Sequence, residues 1–295
     1  MSHLAELAPG LRRIRAENPS PMTGDGTNTY ILGNRQLCVI DPGPEDPGHL
    51  ENLLHAIGPE QVACILVTHS HKDHSMLAPA LSHATGAPVL AYGDSLAGRS
   101  ETMSALAARG MVGGGEGVDI SFAPDRCLEE GATVDFGDGQ ITAHWTPGHM
   151  GNHMCFQWNG IVFTGDHVMG WAPSLVSPPD GDMSAYMRSL HKLAALDAGI
   201  LHAGHGAPIP EPASRIAELI DHRRKRENAI LAELQSGPAT IDALTTRIYT
   251  DLRPGLHKAA ARNVFAHLVD LESRALVECR DMLRTQAIFR LSART

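Results

Sequence analysis

Thr68-His-Ser-His-Lys-Asp-His74 is the stretch of this sequence that decides the fold. It follows Val62-Ala-Cys-Ile-Leu-Val67, a continuous apolar run that predicts a strand covered on both faces. His69 and His71 are two positions apart, so in an extended segment both side chains leave on the same side. Two imidazoles placed in this way directly after a buried strand are candidate ligands for one metal ion.

The second half of the stretch supplies two further candidate ligands. Asp73 and His74 come where the chain turns into a helix, so their side chains diverge and can reach a second ion. Neutral imidazoles plus a carboxylate suit zinc, or iron and manganese when oxygen ligands are added. Taken alone, the stretch has an alternative interpretation as a solvated, histidine-rich loop.

Three later segments favour the metal interpretation, because each places a ligand type just after a predicted strand and beside a glycine. The segments are Thr146-Pro-Gly-His149, Thr164-Gly-Asp166 and Ala203-Gly-His-Gly206. Glycine lets the backbone turn sharply at a strand end, so one sheet edge can collect all the ligands. We therefore expect His149, Asp166 and His205 to lie beside the first four candidates.

The remaining patterns predict strands and helices in alternation, followed by a helical tail. Residues 29–32 and 36–40 predict a hairpin, Asn159-Gly160 a second hairpin turn, and the spacing of apolar residues predicts helices over 49–57, 76–84 and 183–196. The stretch 97–117 is ambiguous. Its end, Gly113-Gly-Gly-Glu-Gly117, lacks the Gly-Lys-Ser/Thr ending of a phosphate loop, so we interpret it as a flexible loop.

A proline-rich boundary at Pro208, Pro210 and Pro212 predicts two domains, residues 1–210 and residues 211–295. We call them the body and the tail. The tail has helical patterns near 213–235, 241–249 and 256–273 and then two possible strands, which is the element order of a winged helix. Because all the candidate ligands precede Pro208, we expect the tail to shape the substrate mouth and not the metal site.

The ligand pattern H-x-H-x-D-H, followed by His, Asp and His at later strand ends, resembles that of the metallo-β-lactamase superfamily. The resemblance implies an α+β fold, a four-layer αβ/βα sandwich with a small C-terminal winged-helix-like domain. Its implied assignment is His69, His71 and His149 for one ion, Asp73, His74 and His205 for the other, and Asp166 as the bridge. The implied cofactors are two Zn²⁺ ions, with iron or manganese as alternatives.

Within the superfamily, the chain is similar to the beta-lactamase-like protein two group over nearly its whole length. The segments that carry this likeness are Asn18-Pro-Ser-Pro21, Gly26-Thr-Asn-Thr-Tyr30, Asp41-Pro-Gly43, Asp73-His-Ser75, Tyr186-Met-Arg-Ser-Leu-His-Lys-Leu193 and the tail from Asp221-His-Arg-Arg-Lys-Arg-Glu227 onward. Some members of that group resemble single-strand endoribonucleases. In the superfamily an Asp at the position of Asp41 supports the ligand loop, and a plain turn cap is the alternative.

A water held by two cations is the expected nucleophile, because metal coordination lowers its pKa from about 15.7 to about 7. Asp73 is the expected catalytic side chain. No G-x-S-x-G is present, and Ser70 and Ser75 are interpreted as turn residues. Other histidines near the ligands are expected to pack or to support them, namely His144, His153, His167 and His202. Trp171 is a candidate for the substrate mouth, and Tyr186 is expected to pack.

Four functions fit these features. A hydrolase of an ester, thioester or lactone leads, a single-strand endoribonuclease is the alternative, and an iron-dependent oxidoreductase or a nucleic-acid-binding module follows. Residues 211–295 hold 14 Lys/Arg and 11 Asp/Glu, a net charge of +3, and the rest of the chain carries −12. An acidic body repels a polyphosphate, and 4% aromatic residues offer few stacking surfaces for bases. The expected partner is a small ester-type substrate or single-stranded RNA, and the oligomeric state stays open.

Two further expectations concern the basic run and the compartment. The charges of His222-Arg-Arg-Lys-Arg226 spread around a helix, which predicts a solvated helix and not a phosphate-binding stripe. The five scattered cysteines form no C-x-x-C pair, which fits reduced thiols. No basic n-region with an apolar h-region begins the chain and no apolar run is long enough for a membrane span, so a cytoplasmic location is expected.

Overall fold

The computed structural model describes residues 4–111, 117–137, 139–251, 255–279 and 284–293. The strands are β1 (Ala5–Ala8), β2 (Leu11–Arg15), β3 (Asn28–Leu32), β4 (Gln36–Ile40), β5 (Gln61–Leu66), β6 (Val89–Ala91), β7 (Arg126–Cys127), β8 (Thr133–Asp135), β9 (Gln140–Trp145), β10 (Met154–Trp158), β11 (Ile161–Gly165), β12 (Ile200–Ala203), β13 (Ala239–Thr240), β14 (Val277–Cys279) and β15 (Ile288–Leu291). The helices are α1 (Pro47–Ile57), α2 (Lys72–Ser75), α3 (Ala78–Thr85), α4 (Glu101–Ala108), α5 (Met183–Ala194), α6 (Pro212–Gln235), α7 (Ile241–Ile248) and α8 (His257–Ser273).

The first sheet joins β1 to β7 in sequence order. Strands β1 to β4 are antiparallel neighbours, which includes the predicted β3–β4 hairpin, and β4 to β7 run parallel. Because β4 and β5 are parallel, the residues that follow them emerge at the same edge. Asp41 and Thr68-His69 therefore lie side by side. The stretch 97–117, which was ambiguous from the sequence, contains helix α4. The loop predicted at its end lies outside the described residues over positions 113–116.

The second sheet has the order β12-β11-β10-β9-β8. The predicted hairpin joins β10 and β11, and its turn residues Asn159 and Gly160 have φ values of 49° and 77°. Two positive φ values are what the tight turn of such a hairpin requires. Strands β11 and β12 are parallel, so Asp166 and His205 emerge together, facing the ligand edge of the first sheet.

Four layers make up the body, as the sequence predicts. The inner faces of the two sheets share one core, in which Leu32 and Leu66 meet Phe156 and Phe163. Helices α1 and α3 cover the outer face of the first sheet. Helix α5 and the first half of α6 cover the outer face of the second sheet. This arrangement is the αβ/βα sandwich.

The tail builds a small core around α7, α8 and an antiparallel sheet of order β13-β15-β14, and Met103 and Leu106 of α4 in the body join this core. Helix α6 belongs to both parts, because Ile216 and Leu219 pack on the body whereas Ile230 and Leu234 pack in the tail. The division at residue 210 remains a proposal. Within the described residues, none of the helices combines the length and the hydrophobicity that a membrane span requires.

The prediction of a solvated basic run is wrong for Arg223. Its side chain is 2% exposed, whereas Lys225 is solvated and pairs with Asp221 at 2.6 Å. The reason is helical spacing, since position 223 falls on the same face as the buried Ile216 and Leu219. The charge pattern considered alone did not reveal that face.

Candidate metal centre

The structure brings all of the predicted ligands together where β5, β9, β11 and β12 end. Their donor atoms form two groups, and within each group the atoms lie within 4.8 Å of one another: His69, His71, His149 and Asp166 in the first, and Asp73, His74 and His205 in the second. Most of these side chains are buried, and His71 and Asp73 are partly exposed. The opening of the site is therefore on the side of these two residues.

Three imidazole nitrogens converge in the first group. His71 Nδ1 lies 2.9 Å from His69 Nε2 and 3.0 Å from His149 Nε2. Ligands around a tetrahedral zinc ion with bonds of about 2.0–2.1 Å lie roughly 3.3–3.4 Å apart. The three nitrogens are therefore within a few tenths of an ångström of the spacing that a cation needs.

Two imidazoles and two carboxylates make up the surroundings of the second group. His205 Nε2 lies 3.3 Å from both Asp73 Oδ2 and Asp166 Oδ1. His74 Nε2 lies 3.4 Å and 3.5 Å from the same two oxygens. These distances match the ligand spacing of a small cation.

Asp166 lies between the two groups. Its Oδ1 faces His74 and His205, and its Oδ2 lies 3.8 Å from His149 Nε2. In the described part of the chain, Asp166 Oδ1 and His74 Nε2 are buried without a hydrogen-bond partner, which is costly for polar atoms unless a cation binds them. A Cβ on Gly204 would lie 2.6 Å from Asp166 Oδ1, so the glycine keeps this space clear. The residues therefore fit two divalent ions.

Asp41 supports two of the candidate ligands. Its carboxylate accepts hydrogen bonds from the Thr68 N–H at 2.7 Å and the Thr68 hydroxyl at 2.8 Å, and it lies 2.9 Å from His74 Nδ1. Because the Thr68 hydroxyl donates to Asp41, it accepts from His69 Nδ1, 2.9 Å away. Because Nδ1 of each ring is engaged in this way, Nε2 is the nitrogen that each ring directs to the centre. Asp41 adopts a φ of 52°, which is uncommon for a residue other than glycine.

Two backbone carbonyls orient two more rings. His149 Nδ1 donates to the Leu175 carbonyl at 2.7 Å, and His205 Nδ1 donates to the Gly26 carbonyl at 3.1 Å. Asp73 Oδ2 accepts a hydrogen bond from the Thr27 hydroxyl at 2.9 Å. The two carbonyl contacts have no signal in the sequence, because a backbone carbonyl can belong to any residue type.

The electrostatics differ between the two groups. Burial and the neighbouring imidazoles lower the pKa of His71 to about 3, so this ring is neutral and free to bind a cation. Burial also opposes protonation of His205, but the carboxylate of Asp166 outweighs burial and raises the pKa of His205 to about 10. Burial likewise opposes protonation of His74, but Asp73 and Asp166 outweigh it and raise the pKa of His74. The second group therefore attracts positive charge, for which a proton and a metal ion compete.

Other residues near the ligands are held by structural contacts. Burial lowers the pKa of His153 well below its usual range and that of His167 to about 3, so both rings are neutral. His144, His202 and Tyr186 are also buried. Ser70 accepts a hydrogen bond from Asn152 at 2.9 Å, and Ser75 donates to the His71 carbonyl at 3.1 Å, as expected of turn residues.

Exposed apolar side chains concentrate on the loops around the centre. Six large apolar side chains are exposed in the described part of the chain, and four of them lie on these loops: Met22, Leu96, Ile120 and Trp171. Trp171 is 46% exposed and packs against Gly206, directly after His205. Ile120 is 86% exposed on the segment whose Val118 forms a β-bridge with His71. The opening thus has an apolar rim.

Comparisons with known proteins match both parts of the chain. Residues 22–205 match the family described as Metallo-beta-lactamase superfamily, and residues 240–281 match the Beta-lactamase associated winged helix domain. A Beta-lactamase-like protein 2 homolog from Drosophila melanogaster is 31% identical over 290 residues, which cover 91% of this chain and 90% of that protein. These matches extend over the body and the tail.

A fungal relative and a solved structure are also similar. The Atrochrysone carboxyl ACP thioesterase of Aspergillus fumigatus is 32% identical over 239 residues, 78% of this chain, and the match spans 66% of that protein, just under two thirds. A metallo-beta-lactamase family protein from Thermus thermophilus has a TM-score of 0.77 at 25% identity, covering 97% of this chain and 100% of that one.

Proposed function

Because the chain belongs to the metallo-beta-lactamase superfamily, and within it to the beta-lactamase-like protein 2 group, we propose that it is a two-metal hydrolase of acyl thioesters. The observation that carries the metal part is the position of Asp166, whose two oxygens face two separate groups of buried ligands. His69, His71 and His149 would hold one ion, and Asp73, His74 and His205 the other. Zinc suits this donor set best, with iron and manganese as alternatives.

When bound, the two ions would supply a water of lowered pKa and would polarise the substrate carbonyl. The side chain of Asp73 is 23% exposed, whereas that of His205 beside it is 1% exposed, so Asp73 faces the opening. Burial raises the pKa of Asp73, but His74 and His205 outweigh burial and lower it, so the carboxylate is ionised. In the proposed reaction it orients the attacking water by accepting a hydrogen bond. The water oxygen bonds to the carbonyl carbon, the carbon–sulfur bond breaks with its electron pair going to sulfur, and one proton of the water passes to the leaving thiolate, so that the products are a carboxylic acid and a thiol.

The apolar rim supports an acyl substrate over RNA. Trp171 and Met22 offer contact to a hydrocarbon chain, whereas RNA binding needs cationic and aromatic groups along a groove. The body carries a net charge of −12, which disfavours a polyanion. The similarity to a fungal acyl carrier protein thioesterase also favours an acyl thioester substrate, although the match covers only part of that protein.

The test compares kcat/KM for thioesters of increasing acyl length with cleavage of a labelled single-stranded RNA at several salt concentrations. We expect kcat/KM to rise with acyl length and Trp171→Ala to weaken that rise. Leu4→Ala is the matched control, because Leu4 is 43% exposed and lies beside the edge strand β1. RNA cleavage that is faster than every thioester, decreases steeply with salt and disappears in Asp73→Ala would overturn the substrate assignment. Elemental analysis and oxygen uptake separate the hydrolase from an iron oxidoreductase.

A further inference from the structure

The segment that follows Asp166 touches two of the candidate ligands. It runs without regular secondary structure from Asp166 to helix α5. The Leu175 carbonyl accepts the Nδ1 proton of His149 at 2.7 Å. One residue earlier, the Ser174 hydroxyl donates to the carbonyl of Asp166. The position of residues 174–175 therefore affects both the ring of His149 and the backbone of Asp166.

Tail side chains hold this segment on either side of Leu175. Arg223 of α6 donates one hydrogen bond to the Ser174 carbonyl and a second, of 3.1 Å, to Asn263 Oδ1 of α8. The same Asn263 oxygen accepts a hydrogen bond from the Val176 N–H at 3.1 Å. The two tail residues thus fix the backbone directly before and directly after the carbonyl that orients His149.

Two further arginines of the tail bind neighbouring parts of the segment. Arg262 donates to the Ser177 hydroxyl at 3.0 Å. Arg215 donates to the Met169 carbonyl at 2.8 Å and to the Ala172 carbonyl at 3.2 Å. These hydrogen bonds connect the tail to several points of the segment beside the metal centre.

A buried arginine is not the residue type that would be expected at position 223 if the stability of the fold were its only role. Its side chain is among the largest fully buried ones, and in the described part of the chain it has no carboxylate partner. Its charge is offset by the Ser174 carbonyl, the Asn263 amide and the ring of Tyr186, whose centroid is 5.0 Å away. Burying an unpaired charge is costly, and a well-packed apolar residue is often as stable or more so. The hydrogen bonds of Arg223, which hold the segment in place, explain a buried arginine here better than stability does.

We propose that Arg223, together with Asn263, is a positioning residue of the metal centre, so that the tail completes the site instead of only shaping its mouth. The Leu175 carbonyl fixes the His149 tautomer that presents Nε2 to His71 and Asp166, and Arg223 fixes Leu175. The prediction that the tail does not affect the metal site was based on the ligands, which all precede Pro208. The contacts that orient those ligands were not part of it. This inference rests on the metal-binding part of the proposed function and not on its substrate.

The test measures the zinc affinity of both sites by chelator competition, with Co²⁺ absorption as a spectroscopic readout of ligand geometry. Arg223→Met should weaken the site that contains His149 by about 10- to 100-fold, the range typical for loss of a contact that orients a ligand. Its Co²⁺ spectrum should change. Arg223→Lys keeps the charge but not the two-pronged geometry, so partial recovery is expected.

Arg226→Met is the matched control, because Arg226 lies on the same helix and its contacts among the described residues are with the tail, namely the Ile248 carbonyl at 3.4 Å and the Tyr249 ring at 4.4 Å. Its zinc affinity should stay within about twofold of wild type, well below the effect of a lost orienting contact. Asn263→Leu is a second variant that removes the Val176 and Arg223 contacts, and it decides the question if Arg223→Met does not fold.

Folded Arg223→Met and Asn263→Leu proteins with wild-type zinc affinity and Co²⁺ spectra would overturn the inference alone. Equal losses in Arg226→Met would also overturn it, because they would indicate a general weakening of the tail. Wild-type protein without affinity for metal would overturn the proposed function and this inference together.

Discussion

The methyl group that Gly204→Ala adds would enter the space between the two ligand groups. Its Cβ would lie 2.6 Å from Asp166 Oδ1 and 2.6 Å from His74 Cε1. Gly204 does not have a positive φ, so alanine meets no backbone strain there. The substitution therefore isolates the steric effect on two candidate ligands.

The size of the effect follows from these distances. An ordinary contact begins near 3.4 Å, so Asp166 or His74 must move by about 0.8 Å. Metal–ligand distances tolerate about 0.2 Å. We expect zinc affinity at the second site to decrease at least 100-fold, which corresponds to about 2.7 kcal/mol. Hydrolysis should decrease with it.

Chelator competition and elemental analysis of the dialysed protein measure this loss. Gly199→Ala is the matched control, because its Cβ would meet only the Gly160 carbonyl, at 3.7 Å, an ordinary contact. That variant should keep two ions and wild-type affinity. A folded Gly204→Ala protein with two ions bound as tightly as in wild type would refute the assignment of Asp166 and His74 to a shared centre.

Three further predictions concern the bridge, its support and the tail. Asp166→Ala should weaken both ion sites together, and elemental analysis that still finds two ions per chain would contradict the bridge. Asp41→Asn should weaken zinc binding about 10- to 100-fold, because an amide has one acceptor oxygen whereas Asp41 accepts from the Thr68 N–H on Oδ1 and from the Thr68 hydroxyl and His74 on Oδ2; unchanged affinity in the chelator assay would exclude this support. Burial, reinforced by Arg223, lowers the pKa of His267 to about 3, so the unfolded chain takes up the proton first and stability decreases as pH falls from about 6.5 towards 3. His267→Leu should therefore gain about 2 kcal/mol relative to wild type between pH 7.5 and 5 in urea unfolding, and parallel pH profiles would refute the assignment.

The candidate ligands could be predicted because each is a residue type with few other uses at its position. His69 and Asp166 directly follow apolar strands, where a buried polar side chain needs a partner. Strand pairing then brings the ligands together, because neighbouring parallel strands end at the same edge of a sheet. Apolar periodicity predicted individual strands and helices, whereas the four-layer arrangement was implied by the resemblance of the ligand pattern to the metallo-β-lactamase superfamily.

The orienting contacts could not be predicted from the residues. The carbonyls of Leu175 and Gly26 have no side-chain signal, and their positions depend on how distant segments pack. Arg223 had a usable signal, since it continues the apolar face of Ile216 and Leu219. The charge of Arg223 predicted an exposed side chain. The packing of α6 between body and tail explains why the side chain is buried.

The use of the tail's cations also bears on the choice between acyl and RNA substrates. Most of the described Lys and Arg side chains of the tail are engaged by carbonyls, by acidic groups or by aromatic rings. Arg274, for example, binds Glu227 at 2.6 Å and Asp270 at 2.9 Å. A phosphate chain would have to compete with these existing partners, and each neutralised phosphate needs a cation that is free to bind it. The net charge of +3 therefore overstates the positive surface that the tail offers to RNA. Three of the tail's arginines, Arg215, Arg223 and Arg262, instead hold the segment beside the metal centre, which favours the acyl thioester as substrate.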